Sequence, residues 1–401
     1  MKSPTLLRFA GAALFLFVAS EMDRATADEV IHLRDGFHNF RHRAMTDKKA
    51  HVAFLGGSIT QNAKGHTAMI PAWLKEQFPE AEISVTNAGL SSTGSVSGAF
   101  RVADDVLAKG PVDLFVVEFA VNDDQDSMLD RETAIRGMEG IIRQVRGKSS
   151  TTDILMVHYI NPDLLAKAQA GEQATSVAAH ESVAEHWHIT TVNLPVALAK
   201  ATADGSMNWE RYGGVHPNQE GYRWATGFMT EALAQGWKSE PETPGIVEHK
   251  VPDAPLDPGS YGRVISIPLS QTSLLEGWTL GKVGKELLPM GSIRSDYLDL
   301  PVLRGEEPGS IFYLEFSGRA LTAFVLAGPD AGTLDISIDG GDWKPVTLFH
   351  RFSTGLNYPR TVILADDLKS QFHQAAIRIS ETKPEGSEGH AASLLKLGVS
   401  E

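Results

Sequence analysis

The chain has 401 residues, 42% of them hydrophobic and 21% charged, which is enough apolar material for complete cores and more length than one domain usually takes. Its 50 acidic residues outnumber 36 basic ones, and a net charge of −14 argues against nucleic acid as a partner, because phosphate backbones are held by surplus lysine and arginine. There is no cysteine, hence no disulfide, no thiolate metal site and no cysteine nucleophile.

The N-terminus reads as an export leader. Lys2 and Arg8 precede an apolar run over 9–19, and Ala25-Thr26-Ala27 supplies a small-x-small cleavage site before Asp28. The run is too short for a membrane span, so residues 1–27 are expected to be a cleaved signal peptide and the protein periplasmic or secreted, without a stable membrane anchor. After residue 48, strand signals at 51–55, 83–86, 113–120, 154–160 and 190–194 alternate with helical ones near 66–78, 97–109, 131–147, 174–188 and 219–235. The strands are mostly apolar on both faces, as buried parallel strands are. Residues 28–240 are therefore expected to form a three-layer α/β/α sandwich on a parallel sheet, its functional loops at the strand C-terminal ends.

Pro241, Pro244, Pro252, Pro255 and Pro258 mark 241–260 as a linker. Beyond it the apolar period becomes two, with short strands at 320–326, 333–338, 361–364 and 376–379 and a hairpin-like connection at Asp339-Gly340-Gly341-Asp342. Residues 261–401 are expected to be an all-β, jelly-roll-like sandwich.

Three short stretches carry candidate chemistry. Ser58, in Gly56-Gly57-Ser58-Ile59-Thr60, follows the strand Val52-Ala53-Phe54-Leu55 and opens a helix, which exposes its hydroxyl among free amides. A serine nucleophile needs a base and an anion-stabilising pocket. Asn122, in Val121-Asn122-Asp123, ends another apolar strand, and His216, in Val215-His216-Pro217-Asn218, precedes the last helix of the domain. With Asn87-Ala88-Gly89, these stretches resemble, in order and in strand context, the four signature blocks of the SGNH (GDSL-like) hydrolase family over roughly residues 48–235. The β-rich C-terminal part is similar to accessory domains attached to SGNH carbohydrate esterases. The resemblance implies that Ser58 is the nucleophile and His216 the base, with an oxyanion hole of the Ser58 N–H, the Gly89 N–H and the Asn122 side-chain amide.

The family pattern breaks at one point. An aspartate usually stands three residues before the histidine, and here that position is Gly213. Glu210, Asp123 and Asp204 are candidate replacement acids; a Ser-His dyad oriented by a backbone carbonyl and an inactive scaffold stay open. Glu118 interrupts an apolar strand and needs a partner, for which Arg101 is the candidate. Trp209 and Tyr212 are candidates for a sugar-stacking wall. His180-Glu181 begins like a zinc-protease helix motif but lacks the second histidine, and no P-loop or dinucleotide fingerprint occurs, so no metal and no organic cofactor are expected.

The expected function is a secreted serine esterase removing O-acetyl groups from a carbohydrate. Export, an acidic surface, an appended sandwich and no long apolar lid favour a polar extracellular substrate over triglyceride. Lipase, thioesterase or arylesterase action on small esters, a non-catalytic carbohydrate-binding role, and acetyl transfer to a polysaccharide stay open as alternatives.

Overall fold

A computed structural model of the protein describes residues 30–238 and 245–401. The expected signal peptide and the prolines at 241 and 244 lie outside the described residues. Six strands, β1 (Ile31–His32), β2 (Lys49–Gly56), β3 (Glu82–Gly89), β4 (Leu114–Val117), β5 (Asp153–His158) and β6 (Thr190–Asn193), form one sheet in the order β1-β6-β5-β4-β2-β3. All pairings are parallel except the short β1 against β6. Alternation assigns the side chains to two cores: Val52, Phe54, Leu114, Val116, Leu155 and Val157 face one layer of helices, and Ala53, Leu55, Phe115, Val117, Ile154 and Met156 face the other. This is the expected three-layer α/β/α architecture.

The helices depart from expectation in two ways. The predicted helix over 97–109 is broken into Ser95–Ala99, Val102–Asp105 and a 3₁₀ turn, because Arg101 leaves the helical path and reaches the Ala88 and Gly56 carbonyls at 2.6 and 2.9 Å. Two unexpected helices, Pro162–Gln169 and Leu194–Asp204, start with an asparagine cap whose side-chain oxygen accepts from the helix N-terminus and with proline in the first turn.

The C-terminal region is a sandwich of two antiparallel sheets, as expected. One has the order Tyr358–Ala365, Ala320–Ala327, Ala392–Ser400, Pro301–Gly305, Trp278–Lys282, with Val264–Ile267 also paired to Ala392–Ser400. The other has the order Lys344–Thr347, Thr333–Ile338, Gln371–Ile379, Ile311–Gly318, Ser273–Glu276. Their inner faces close one core around Leu303, Phe312, Leu334, Ile377 and Leu397. Asp339 and Gly340, at φ 54° and 74°, make the two-residue turn with both centres left-handed that suits a tight hairpin, and Gly341 N–H closes it on Ile338 O at 2.9 Å.

The stretch read as a linker packs on the α/β domain where it is described. His249 donates to Asp153 Oδ1 and Asp35 Oδ2 at 2.7 and 2.9 Å, the Leu256 and Asp257 amides donate to Glu139, and Tyr261 is fully buried in the catalytic core against Phe100. Arg136, on the helix Arg131–Lys148, binds Asp257 of this strap and Asp366 and Asp367 of the sandwich at 3.2, 3.1 and 2.8 Å. The proline-rich composition marked a segment without regular structure, and long-range hydrogen bonds, which composition does not encode, fix it.

Candidate active site

The nucleophile turn is built at the end of β2. Gly57 is the N-cap of the short helix Ser58–Gln61 and makes no side-chain cap, so Ser58 is the first helical residue and its N–H has no acceptor inside the helix. Capping therefore does not explain the serine. Its Oγ lies 2.7 Å from His216 Nε2. From below, Glu118 Oε1 accepts from the Gly57 N–H at 2.9 Å and the Thr60 hydroxyl at 2.6 Å, while its Oε2 is buried without a partner. Burial pushes the Glu118 carboxyl up to about 7, against the pull of those two hydrogen bonds. The expected Arg101 pair is not formed: Arg101 pairs with Asp105 at 3.0 Å.

His216 sits on a loop held at both ends. Gly213 and Gly214 are left-handed at φ 99° and 89°, terminating the helix Trp209–Tyr212. Asn218 caps the following helix, Gln219–Gly236, accepting from the Glu220 and Gly221 amides at 2.8 and 3.0 Å. One turn into that helix the buried Tyr222 donates its hydroxyl to Ile59 O at 2.9 Å, tying the base's helix to the nucleophile's. An aromatic residue six positions after His216 was the available signal for this tie.

None of the three candidate acids reaches the imidazole. Asp123 is fully buried and accepts from the Ser95 N–H at 2.7 Å and from His180 at 2.9 Å; the zinc-like His180 is thus part of a structural pair. Asp204 accepts from Ser206 N–H at 2.8 Å in its own turn, and Glu210 is exposed on the helix before the loop. Among the described residues no carboxylate hydrogen-bonds to His216. The departure at position 213 goes deeper than one side chain, since a Cβ there would stand 2.5 Å from the Asn218 backbone nitrogen. Gly213→Asp should therefore lower stability by about 1–3 kcal/mol and give no gain in turnover. Thermal melts and initial rates check this; a faster enzyme with an unchanged melt would contradict it.

The anion pocket is altered in one donor. Asn122 is buried beside Gly57, where any Cβ would lie 2.1 Å from Asn122 Oδ1, and its Nδ2 donates to Asp126 Oδ2 at 2.6 Å. The Gly89 N–H, expected to be free, donates to Asn87 Oδ1 at 2.9 Å. Glycine is required there by the backbone of Gln61, 2.2 Å from where a Cβ would stand, rather than by a substrate or a left-handed turn. The Trp209–Tyr212 wall does not form either: Tyr212 is fully buried, with Trp209 stacked on it at 5.9 Å and packed against the core.

The loops that carry Ser58, Gly89 and Asn122 touch the sandwich. Gln61 Nε2 donates to Asp296 at 3.2 Å; Arg294 donates to Ser91 O and Ser92 Oγ at 3.3 and 2.9 Å; His350 Nε2 donates to Asp126 O at 2.8 Å, and Arg351 to Gln125 O. Sequence reasoning missed Asp126, four residues from Asn122, and these sandwich residues, which lie far from the loops along the chain.

Residues 54–224 match the model of the GDSL-like lipase/acylhydrolase family. That match supports reading the segment that carries the site as a carboxylic ester hydrolase. Among solved structures, a two-domain esterase (CEX) active on acetylated mannans, co-crystallised with mannopentaose, aligns with TM-score 0.72 at 21% identity over 94% of this chain and 98% of that one. A second structure of a two-domain esterase of that description gives 0.73 at 19% over the same shares. An acetyl xylan esterase, AlAXEase, covers 46% of this chain and 99% of its own at 20% identity and TM-score 0.37. No curated protein matches the chain. Among the described residues no helix is long and apolar enough to cross a membrane.

Proposed function

We propose that this protein is an exported serine esterase that removes O-acetyl groups from a carbohydrate through an acyl-enzyme. The observation that carries the reading is the 2.7 Å approach of Ser58 Oγ to His216 Nε2 across 158 residues of chain. With hydrogen on Nδ1, the imidazole accepts the serine proton as Oγ attacks the ester carbonyl, then returns it to the departing sugar oxygen. The oxyanion is met by the Ser58 N–H at the start of its helix and by Asn122 Nδ2, whose second hydrogen is not taken by Asp126. Water then repeats the sequence on the acetyl-serine, releasing acetate and restoring Ser58. With the orienting carboxylate absent and the Gly89 N–H engaged, these two groups carry most of the chemistry.

The carbohydrate part of the reading draws support from the architecture. The esterase on acetylated mannans shares both domains, and here the sandwich borders the Ser58, Gly89 and Asn122 loops, which suits a substrate larger than a small ester. Export rests on the leader-like N-terminus. Purified protein should release acetate from acetylated mannan or xylan faster than it hydrolyses long-chain esters. Turnover of p-nitrophenyl acetate with no acetate from any acetylated glycan would instead assign it to small esters.

A further inference from the structure

The loop Asn122–Asp126 is a single π-helical turn, closed by Ser127 N–H on Asn122 O at 2.8 Å, and this turn brings residue 126 back against residue 122. Asp126 is mostly buried. Its Oδ2 accepts from Asn122 Nδ2 at 2.6 Å and its Oδ1 from Gln125 Nε2 at 3.3 Å. An acceptor at this position fixes which way the Asn122 amide faces, because the reversed amide would set oxygen against carboxylate. The sandwich braces the same turn through His350 and Arg351. The charged and titratable groups that act on Asp126 are Arg351, His350 and Tyr358 from the sandwich and His216 from the catalytic loop. Burial raises its carboxyl pKa, and the hydrogen bonds from Asn122 and Gln125, then the charges of Arg351 and His216, pull it back down.

We propose that Asp126 is the positioning carboxylate of this site, clamping the Asn122 amide toward the oxyanion. It rests on the serine-esterase reading above. The sandwich becomes a working half of the active site, since two of the residues that hold the Asp126 turn belong to it.

The test uses the full chain with p-nitrophenyl acetate. Asp126→Asn keeps the shape and one acceptor but removes the charge; Asp126→Ala removes both. The expected result is a fall in kcat of about 100-fold for the alanine variant and at least about 10-fold for the asparagine variant, with KM within about threefold. The split between kcat and KM is the discriminating readout, because a merely structural loss would lower the melting temperature and raise KM together with the fall in kcat. Should the alanine variant fail to fold, the isosteric asparagine variant carries the test. An asparagine variant with kcat within about threefold of wild type overturns the proposal. Ser58→Ala run in parallel separates the two failures. Wild-type rates in Ser58→Ala would end the esterase reading, whereas an inactive Ser58→Ala beside unaffected Asp126 variants would end this inference alone.

Discussion

Ser58→Ala should reduce turnover of p-nitrophenyl acetate by about 10⁴-fold or more, and His216→Ala by a similar factor. The double variant should be no slower than either single one, because nucleophile and base act as a unit and removing one already disables the other. The serine makes no helix cap, so its removal should leave the melting temperature nearly unchanged, within the range expected for a partly exposed position outside the core. Rates and melts of the three variants decide the matter: a serine variant that hydrolyses at the wild-type rate leaves the 2.7 Å contact without a catalytic meaning.

The second large effect lies beneath the nucleophile. Glu118 has a folded-state pKa of about 7 against an ordinary 4.5, so between those values the folded protein binds a proton that the unfolded chain has released. Stability at this site is therefore full at acid pH and falls as pH rises through the window, by about 3 kcal/mol above its upper end. Glu118→Gln keeps an oxygen to accept from the Gly57 N–H and the Thr60 hydroxyl and carries no charge at any pH. It should melt well above wild type at pH 8 and close to it near pH 4.5. Equal melting curves at pH 8 would mean that the buried carboxylate finds its counter-charge elsewhere.

The parallel sheet was legible because buried strands such as Phe115-Val116-Val117 and Ile154-Leu155-Met156 are apolar on both faces, a pattern that half-buried strands and amphipathic helices do not produce. Ser58, Asn122 and His216 were legible for a related reason, each standing where a regular element meets a turn. What escaped was pairing at a distance. Nothing near Glu118 in the chain announces Thr60, 58 residues away, and nothing near Asp126 announces His350, 224 residues on. Asp123 looked available because it adjoins Asn122, yet its neighbour in space is His180. Local signals were also overlooked: Asn161-Pro162 and Asn193-Leu194-Pro195 are helix starts in their own right.

The seam at Arg136 limits how the chain can be divided. One guanidinium answers to four carboxylates, Glu132 on its own helix, Asp257 on the strap and Asp366 and Asp367 in the sandwich, while Tyr261 fills a hole beside the same helix. Severing the halves would leave that cation only Glu132, open an apolar socket and unbrace the Ser58, Gly89 and Asn122 loops at once. The sandwich is thus no detachable appendage but a buttress for the loops that carry Ser58, Gly89 and Asn122.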